Sequence, residues 1–392
     1  MVEKSLNILW HSVGPFVYSG YGVVTKNVAL RIGQHYPTVI STYYGFHTGA
    51  SLRIANVRVI PTIEENYGQR SVEHYVKKFK IDLPILASDF WPFAWFSNLP
   101  NSMFYGPIDS YDYCSDDVAV MRNYAHFIPC SEFGGKVYLK LTKRKPEAVI
   151  PHGVDTKIYK PYFKDECKKI FNIRRDKFMF GIVAANSDPE PRKGWDDMFI
   201  AFSRFKDKFP NEAKHWMIFA YTKPSDPRGY NLPEVVRKLK LGKHVIFPEH
   251  LPQVVGIPDF EMAKLYSCFD ILVNASRREG FCIPVMEAQA CGIPVIASNS
   301  SALPEIVNGH GWLVKMGDTV FTPKGWKGQR VDREDLGKKI EEAYFNKEQR
   351  KIYSQESLKF SQQFDWEKIV NKQWLPLLKK LSNKDLNKIV AS

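Results

Sequence analysis

The 392-residue sequence predicts an α/β protein of two doubly wound parallel sheets. Three observations predict it. Short apolar runs alternate with segments of helical period along the chain. The runs mostly end in a polar or turn residue, as buried parallel strands do. The alternation stops at Pro151–Phe171, a stretch mixing Pro, Gly and Lys without a clear period, and restarts near Phe178.

In the first series, Leu6–Trp10 is a strand, the glycine-dotted segment Gly14–Gly22 its loop, and Val23–Ile32 a helix. Further strands are expected at Val57–Ile60, Pro84–Ala87, Ser102–Tyr105, His126–Cys130 and Ala148–Ile150. The second series has strands at Phe178–Ala185, Trp216–Tyr221, Val245–Pro248, Ile271–Asn274 and Pro294–Ala297. Helices fall between them at Asp196–Phe209, Pro233–Leu239, Asp259–Cys268 and Pro284–Cys291. The end is helical over Arg333–Phe345, Lys347–Gln363 and Trp366–Leu381. The expected domains are 1–160 and 161–374, with the last helix, about 375–392, completing the first.

A hydrophobic share of 44% supports real cores. The formal net charge of +13 admits nucleic acid, an anionic membrane surface or phosphorylated small molecules as partners. The charge is spread rather than blocky; its densest runs are Lys77-Lys78-Phe79-Lys80 and Lys143-Arg144-Lys145. Nucleic acid is not the expected partner. The six cysteines form no Cys-x-x-Cys pair and no disulfide framework, which fits a reducing cytoplasm. Met1-Val2-Glu3-Lys4 has no apolar stretch behind it, so no signal peptide is expected. No window approaches a membrane span, although contact with a membrane surface stays open.

The most informative stretch runs from Ser276 to Ala297. A strand ends at Asn274 and a loop follows through Cys282. Pro284 suits the first turn of a helix, Gly292 its end, and Pro294 follows. The residue before the helix, Ile283, is no cap, so the amides of Phe281, Cys282 and Ile283 need a partner. A phosphate would satisfy them and gain from the helix dipole. Glu279 and Glu287 flank that place, and ionised carboxylates accept hydrogen bonds from vicinal sugar hydroxyls. On spacing alone they can equally be surface acids on a short helix.

Ser-x-x-Glu-Gly-Phe, then Pro284, Glu287-Ala288 and Gly292-Ile293-Pro294-Val295, resembles the retaining glycosyltransferases of the GT-B fold, especially glycosyltransferase family 4. Pro151-His152-Gly153-Val154-Asp155, Arg192-Lys193-Gly194-Trp195 and Leu303-Pro304-Glu305-Ile306-Val307 resemble further family elements in the expected order. The N-terminal half matches only in strand–helix pattern. The resemblance implies two facing Rossmann-like domains with a cleft between them, and a nucleotide-sugar donor, UDP- or GDP-linked, on the C-terminal one. It implies that Glu287 holds the ribose. Glu279 and the amides of Gly280, Phe281 and Cys282 would hold the sugar and distal phosphate. Arg192 and Lys193 would neutralise the diphosphate leaving group. The family often has glycine where Cys282 stands, and an arginine some residues before the lysine where this chain has Ser187-Asp188.

Gly20, Tyr21 and Gly22 lie where the family's glycine-rich loop closes over the donor phosphates. Asp109 stands where many relatives carry a histidine, and would contact donor sugar or acceptor hydroxyl. Glu249-His250 lies where relatives contact the base. His11, His126 and His152 are expected to be satisfied structural residues. There is no Asp-x-Asp motif, and Asp116-Asp117 suits a helix start, so no metal site and no required cofactor are expected. The implied activity is metal-independent transfer of a hexose with retention to a saccharide, lipid-linked or protein acceptor. Rival readings are a silent binding module, or an epimerase or phosphorylase on the same fold.

Overall fold

A computed structural model describes residues 5–46, 49–62, 64, 66–187, 190–248 and 256–390, with side chains for the same residues except 66 and 384–390. The chain divides into two compact units. One comprises Met1–Ile108, Tyr113–Gly153 and Phe364–Ser392; the other comprises Asp109–Asp112 and Val154–Gln363. The sequence-based bounds were 160 for the junction and about 375 for the return.

The first unit holds β1 (Ile8–Val13), β2 (Thr38–Tyr44), β3 (Leu52–Ile54), β4 (Val57–Pro61), β5 (Leu83–Ala87), β6 (Met103–Gly106) and β7 (His126–Pro129). Their order is β3-β4-β2-β1-β5-β6-β7. All pairs are parallel except β3 with β4. β1 and β5 are buried throughout, as a sheet covered on both sides requires. The chain returns through Trp366 and Trp374, both buried. Trp374 packs against Trp10 and Tyr105, at ring-centroid distances of 5.8 and 4.8 Å. His152 is also buried here, with Nδ1 2.8 Å from the Tyr105 hydroxyl, and burial pushes its imidazole down to about 3.

The second unit holds β8 (Phe178–Val183), β9 (Trp216–Tyr221), β10 (Val245–Ile246), β11 (Ile271–Asn274), β12 (Val295–Ser298) and β13 (Trp312–Val314). The order is β10-β9-β8-β11-β12-β13, parallel throughout. A separate antiparallel hairpin pairs β14 (Met316–Phe321) with β15 (Lys327–Val331). Both sheets are therefore doubly wound, and each reverses its strand order once: between β1 and β5, and between β8 and β11. Ligands of such sheets bind outside the carboxyl ends of the strands at that reversal.

Several local expectations are corrected. Ala148–Ile150 is not a strand; Glu147 N before it reaches Phe127 O (3.0 Å) and its last residue, Ile150, reaches Pro129 O through N (3.1 Å). Pro146 and Pro151 bracket it and limit its ladder donors. Conversely, β2, β3, β13 and the β14–β15 hairpin were not expected. β2 reads as polar, but its buried hydroxyls find tertiary partners: Ser41 at His11 Nδ1 and Thr42 at Ile60 O.

One glycine sets the distance between the two loops at the second reversal. Gly194 has φ +65°, and a Cβ there would lie 2.3 Å from Ala275 O. Gly194→Ala is expected to destabilise by about 2–4 kcal/mol, combining a left-handed backbone with a backbone clash. Gly292→Ala is the control. It also has positive φ (+72°), but its nearest atom would be 3.4 Å away, so about 1–2 kcal/mol is expected. Equal losses in urea unfolding would show that Ala275 does not crowd Gly194.

Candidate functional site

The β8/β11 reversal gathers the loop after β11 and the loop after β8. Asn274, the last residue of β11, folds the first loop on itself: its Oδ1 accepts from Ser276 N (3.0 Å) and its Nδ2 reaches Cys282 Sγ (3.3 Å). Serines at and just after the end of β12 pin the same loop. Ser298 Oγ donates to Ser276 O, and Ser300 Oγ to Arg277 O at 2.8 Å. Ser301 Oγ accepts from Glu279 N at 2.7 Å. The second loop is joined to the first by Arg277 N to Arg192 O, 2.7 Å.

This framework brings three predicted residues together. Glu279 is buried, and Oε1 lies 2.5 Å from Lys193 Nζ while Oε2 lies 3.4 Å from Arg192 Nη1. Burial alone would raise the Glu279 carboxyl. Lys193 and Arg192 outweigh it and hold the group below its ordinary value. The helix that follows runs Ile283–Ala290, with Cys282 as its cap residue at φ 78° and no side-chain cap bond. Gly280, Phe281, Cys282 and Ile283 thus lead into an anion-favouring helix start.

Glu287 lies inside that helix in the opposite electrostatic setting. It is buried, takes a hydrogen bond from Tyr266 at 2.8 Å and another from Tyr159, and has Asp259 nearby. Burial pushes its carboxyl up to about 8, Asp259 adds to that, and the two tyrosines oppose it. The two carboxylates that the sequence treats as a pair are electrostatically unlike.

Asp109, predicted from the N-terminal half, belongs with the second unit. Its Oδ1 is 3.3 Å from Arg278 Nη1, which also lies 2.9 Å from Ser110 Oγ. Arg278 Nη2 bonds Glu190 at 2.6 Å, and the guanidinium sits 5.4 Å from the Trp326 ring centroid. Arg278 is buried and immediately precedes Glu279, so this ionic chain stiffens the backbone that presents the carboxylate. Arg277 does the same for Lys193: it pairs with Asp197 (3.4 Å) and Asp196 (3.6 Å), in the first turn of the helix after Gly194. Arg333 holds the same two aspartates at 2.6 and 3.1 Å.

Sequence reading missed Arg278, Glu190, Ser301, Tyr159 and Tyr266. An arginine doublet reads as surface charge, and only its position beside Glu279 hinted otherwise. Gly20, Tyr21 and Gly22 lie in the first unit, where Ser19 caps their helix through Gly22 N (3.2 Å). Glu249 and His250 lie outside the described residues. His126 bonds Asn101 Oδ1 (3.0 Å) and Glu147 (3.4 Å). Among the described residues, no cluster of His, Cys, Asp and Glu is placed to hold a metal ion, and no helix is long and apolar enough to cross a membrane.

Residues 178–321 match the family described as "Glycosyl transferases group 1". Curated relatives include the MMP alpha-(1->4)-mannosyltransferase of Mycolicibacterium hassiacum, 28% identical over 42% of this chain and 34% of that protein. Another is the lipopolysaccharide core biosynthesis mannosyltransferase LpsB of Rhizobium meliloti, 32% identical over 42% of this chain and 44% of that protein. The chain thus spans less than half the length of either. Among solved structures, sucrose-phosphate synthase from Thermosynechococcus elongatus superposes with a TM-score of 0.74 over 99% of this chain and 100% of that one, at 17% identity. Anabaena Alr3699/HepE, in complex with UDP and glucose, gives 0.71 over 96% and 100%, at 15% identity. At these identities the structural likeness carries the GT-B fold.

Proposed function

We propose that this chain, a GT-B protein of glycosyltransferase group 1, moves a sugar from a nucleotide-sugar donor to an acceptor hydroxyl with retention and without a metal ion. The observation that carries the reading is the meeting of Lys193, Arg192 and Glu279 at the second sheet's strand reversal. Two cations face one carboxylate, a setting that favours a further anion. A diphosphate is such an anion. On its arrival Lys193 and Arg192 turn to the phosphates, and Glu279 is released to accept hydrogen bonds from the donor's sugar hydroxyls. Glu287 takes the ribose diol. The amides leading into the helix at Ile283 meet the distal phosphate.

The leaving diphosphate gains charge as the anomeric C–O bond breaks. Fixed cations in a desolvated site stabilise that charge more in the transition state than in the ground state. The acceptor oxygen attacks from the same face and its proton passes to the departing phosphate oxygen, so no protein nucleophile is required. Lys193 and Arg192 supply positive charge where a divalent ion would otherwise serve. The mannosyltransferase relatives support a hexose, and the UDP-bound neighbour supports a nucleoside diphosphate.

Thermal unfolding with UDP, GDP and ADP tests the donor site. One nucleotide at about 100 times its Kd should add about 2.7 kcal/mol of stability. No shift with any of them would sink the proposal.

A further inference from the structure

Four residues, Asp109–Asp112, belong to the second unit although their neighbours along the chain belong to the first. None of the four lies in a helix or strand, so their side chains must fix the segment. Each side chain reaches the loops around Glu279 or the hairpin beside them. Asp109 and Ser110 meet Arg278 Nη1, at 3.3 and 2.9 Å. Tyr111 Oη accepts from Ser301 N at 3.0 Å. Asp112 Oδ1 accepts from Lys327 N, the first amide of β15, at 2.7 Å. A segment that merely crossed the surface would turn its polar side chains to water. Here Ser110 is fully buried.

These contacts form a circuit that returns to Glu279. Glu279 N donates to Ser301 Oγ, and Ser301 N donates to Tyr111. Asp112, next along the chain, holds Lys327 N. Trp326, just before Lys327, has its ring centroid 5.4 Å from the Arg278 guanidinium and 5.2 Å from Lys324 Nζ. Arg278 in turn precedes Glu279. The backbone that carries the carboxylate is therefore held on two sides, at its own amide through Ser301 and at the preceding side chain through Trp326.

The tyrosine hydroxyl has a defined direction in this circuit. It lies 3.5 Å from Ser300 Oγ, whose own proton goes to Arg277 O. Ser300 then only accepts, so the phenol proton points to it. One hydroxyl thus orders both serines, which between them hold Arg277 O and Glu279 N. Ser301 is also held at a cost. Its φ of 49° is left-handed, an uncommon setting for a residue with a side chain. Such strain persists where the surroundings over-determine it. Here Tyr111 takes the Ser301 N–H and Glu279 supplies a proton to its Oγ.

We infer that Asp109–Asp112 is a positioning clamp for Glu279, with Tyr111 at its centre, acting through Ser301 to fix where the carboxylate meets the transferred sugar. This rests on the transfer reading for the sugar. The diphosphate belongs to Lys193 and Arg192, so loosening the clamp costs recognition of the sugar and spares the diphosphate.

Tyr111→Phe removes one hydroxyl from a side chain that is 36% exposed, and Asp112→Ala opens the circuit at the hairpin. Affinities for UDP, GDP and ADP are measured beside those for UDP-glucose, GDP-mannose and ADP-glucose. Hydrogen exchange is followed in parallel by mass spectrometry. Each variant should lower the ratio of nucleotide-sugar to nucleoside diphosphate affinity about five- to tenfold, the worth of one net hydrogen bond, with diphosphate affinity within about threefold of wild type. Glu279→Ala should lower the same ratio, and adding Tyr111→Phe to it should lower it no further. Amides over 277–282 should exchange about tenfold faster in both variants, and those of the helix Arg333–Phe345 at wild-type rates. Unchanged exchange over 277–282 overturns the clamp. Faster exchange there with an unchanged affinity ratio also overturns it, because the segment then only braces the fold; so does faster exchange throughout the second unit. A Tyr111→Phe effect that persists in full beside Glu279→Ala places the tyrosine's action elsewhere and overturns it too. Localised exchange changes in a chain that binds none of the six compounds leave the clamp on Glu279 standing and overturn the transfer reading.

Discussion

Lys193→Ala is expected to lower kcat by about 10²–10³-fold, the loss typical of removing one preorganised charge at a leaving group. The same change should weaken nucleoside diphosphate binding less than it lowers kcat, because the charge on the phosphate grows as the bond breaks. The structure adds a second consequence. Glu279 is buried, and Lys193 at 2.5 Å is its nearer cation; Arg192, at 3.4 Å, is the farther one. Breaking a buried pair from one side costs about 3–5 kcal/mol. Here Lys193 is partly accessible, so the lower end is expected. The pH dependence fixes the sign. A carboxyl held below its ordinary value contributes stability above the unfolded-state value, and that contribution is lost as pH falls through the lower folded value. In Lys193→Ala it should be much reduced at neutral pH. Lys193→Arg keeps the charge and should recover stability better than rate, since a planar guanidinium cannot occupy an ammonium's place. Steady-state kinetics and urea unfolding at pH 7 decide the matter. A kcat within threefold of wild type would remove Lys193 from the leaving-group role.

The parts of this site that were legible in the sequence are those encoded locally. Pro284 and Gly292 mark the two ends of one helix. Ile271–Asn274 is four apolar or amide residues bounded by a polar loop. Both were placed within a residue of their observed ends. Lys193 and Glu279 came from resemblance, and the ion pair between them spans 86 positions, which no local pattern reveals. Arg278 was visible only as half of a doublet. Its partner Asp109 is 169 positions away, and what makes the pair structural is burial, a tertiary fact. β2 escaped notice for the converse reason. Thr38–Tyr44 has the hydroxyls of a surface segment, and they are tolerated inside because His11 and Ile60 receive them. Tyr159 and Tyr266 carry no motif in the sequence; only their hydrogen bonds to the buried carboxyl of Glu287 bring them into the candidate site. Composition and period therefore disclosed the layers, while the charge state of each carboxylate had to come from its surroundings.

Those surroundings make Glu287→Gln the second large effect, and it should act in two directions at once. Burial, aided by Asp259 and opposed by Tyr266 and Tyr159, raises the Glu287 carboxyl from 4.5 to about 8. The folded chain then holds the proton more tightly than the unfolded chain between those values, so its stability falls as pH rises across that window. Below pH 4.5 both states are protonated and the group is neutral to stability. Above about 8 the fold carries a buried carboxylate with no cation described beside it. Glutamine keeps the shape and removes the titration. Relative to wild type, Glu287→Gln should gain a few kcal/mol above pH 8 and almost nothing at pH 4.5. Nucleotide binding should move the other way. A ribose diol donating to an ionised carboxylate makes charge-assisted bonds worth about 1.5–3 kcal/mol, so the variant should bind about 10–100-fold more weakly at pH 8. Wild-type affinity should rise with pH up to about 8 more steeply than the variant's, whose remaining slope belongs to the second ionisation of the nucleotide's terminal phosphate. Urea unfolding and nucleotide titration at pH 5 and pH 8.5 supply both readings. Equal stability of the two proteins at pH 8.5 would mean that Glu287 is not held protonated, and unchanged nucleotide affinity would take the ribose away from it. A buried acid that weakens its own fold and strengthens a ligand is best explained by the ligand, because stability alone would favour glutamine at that position.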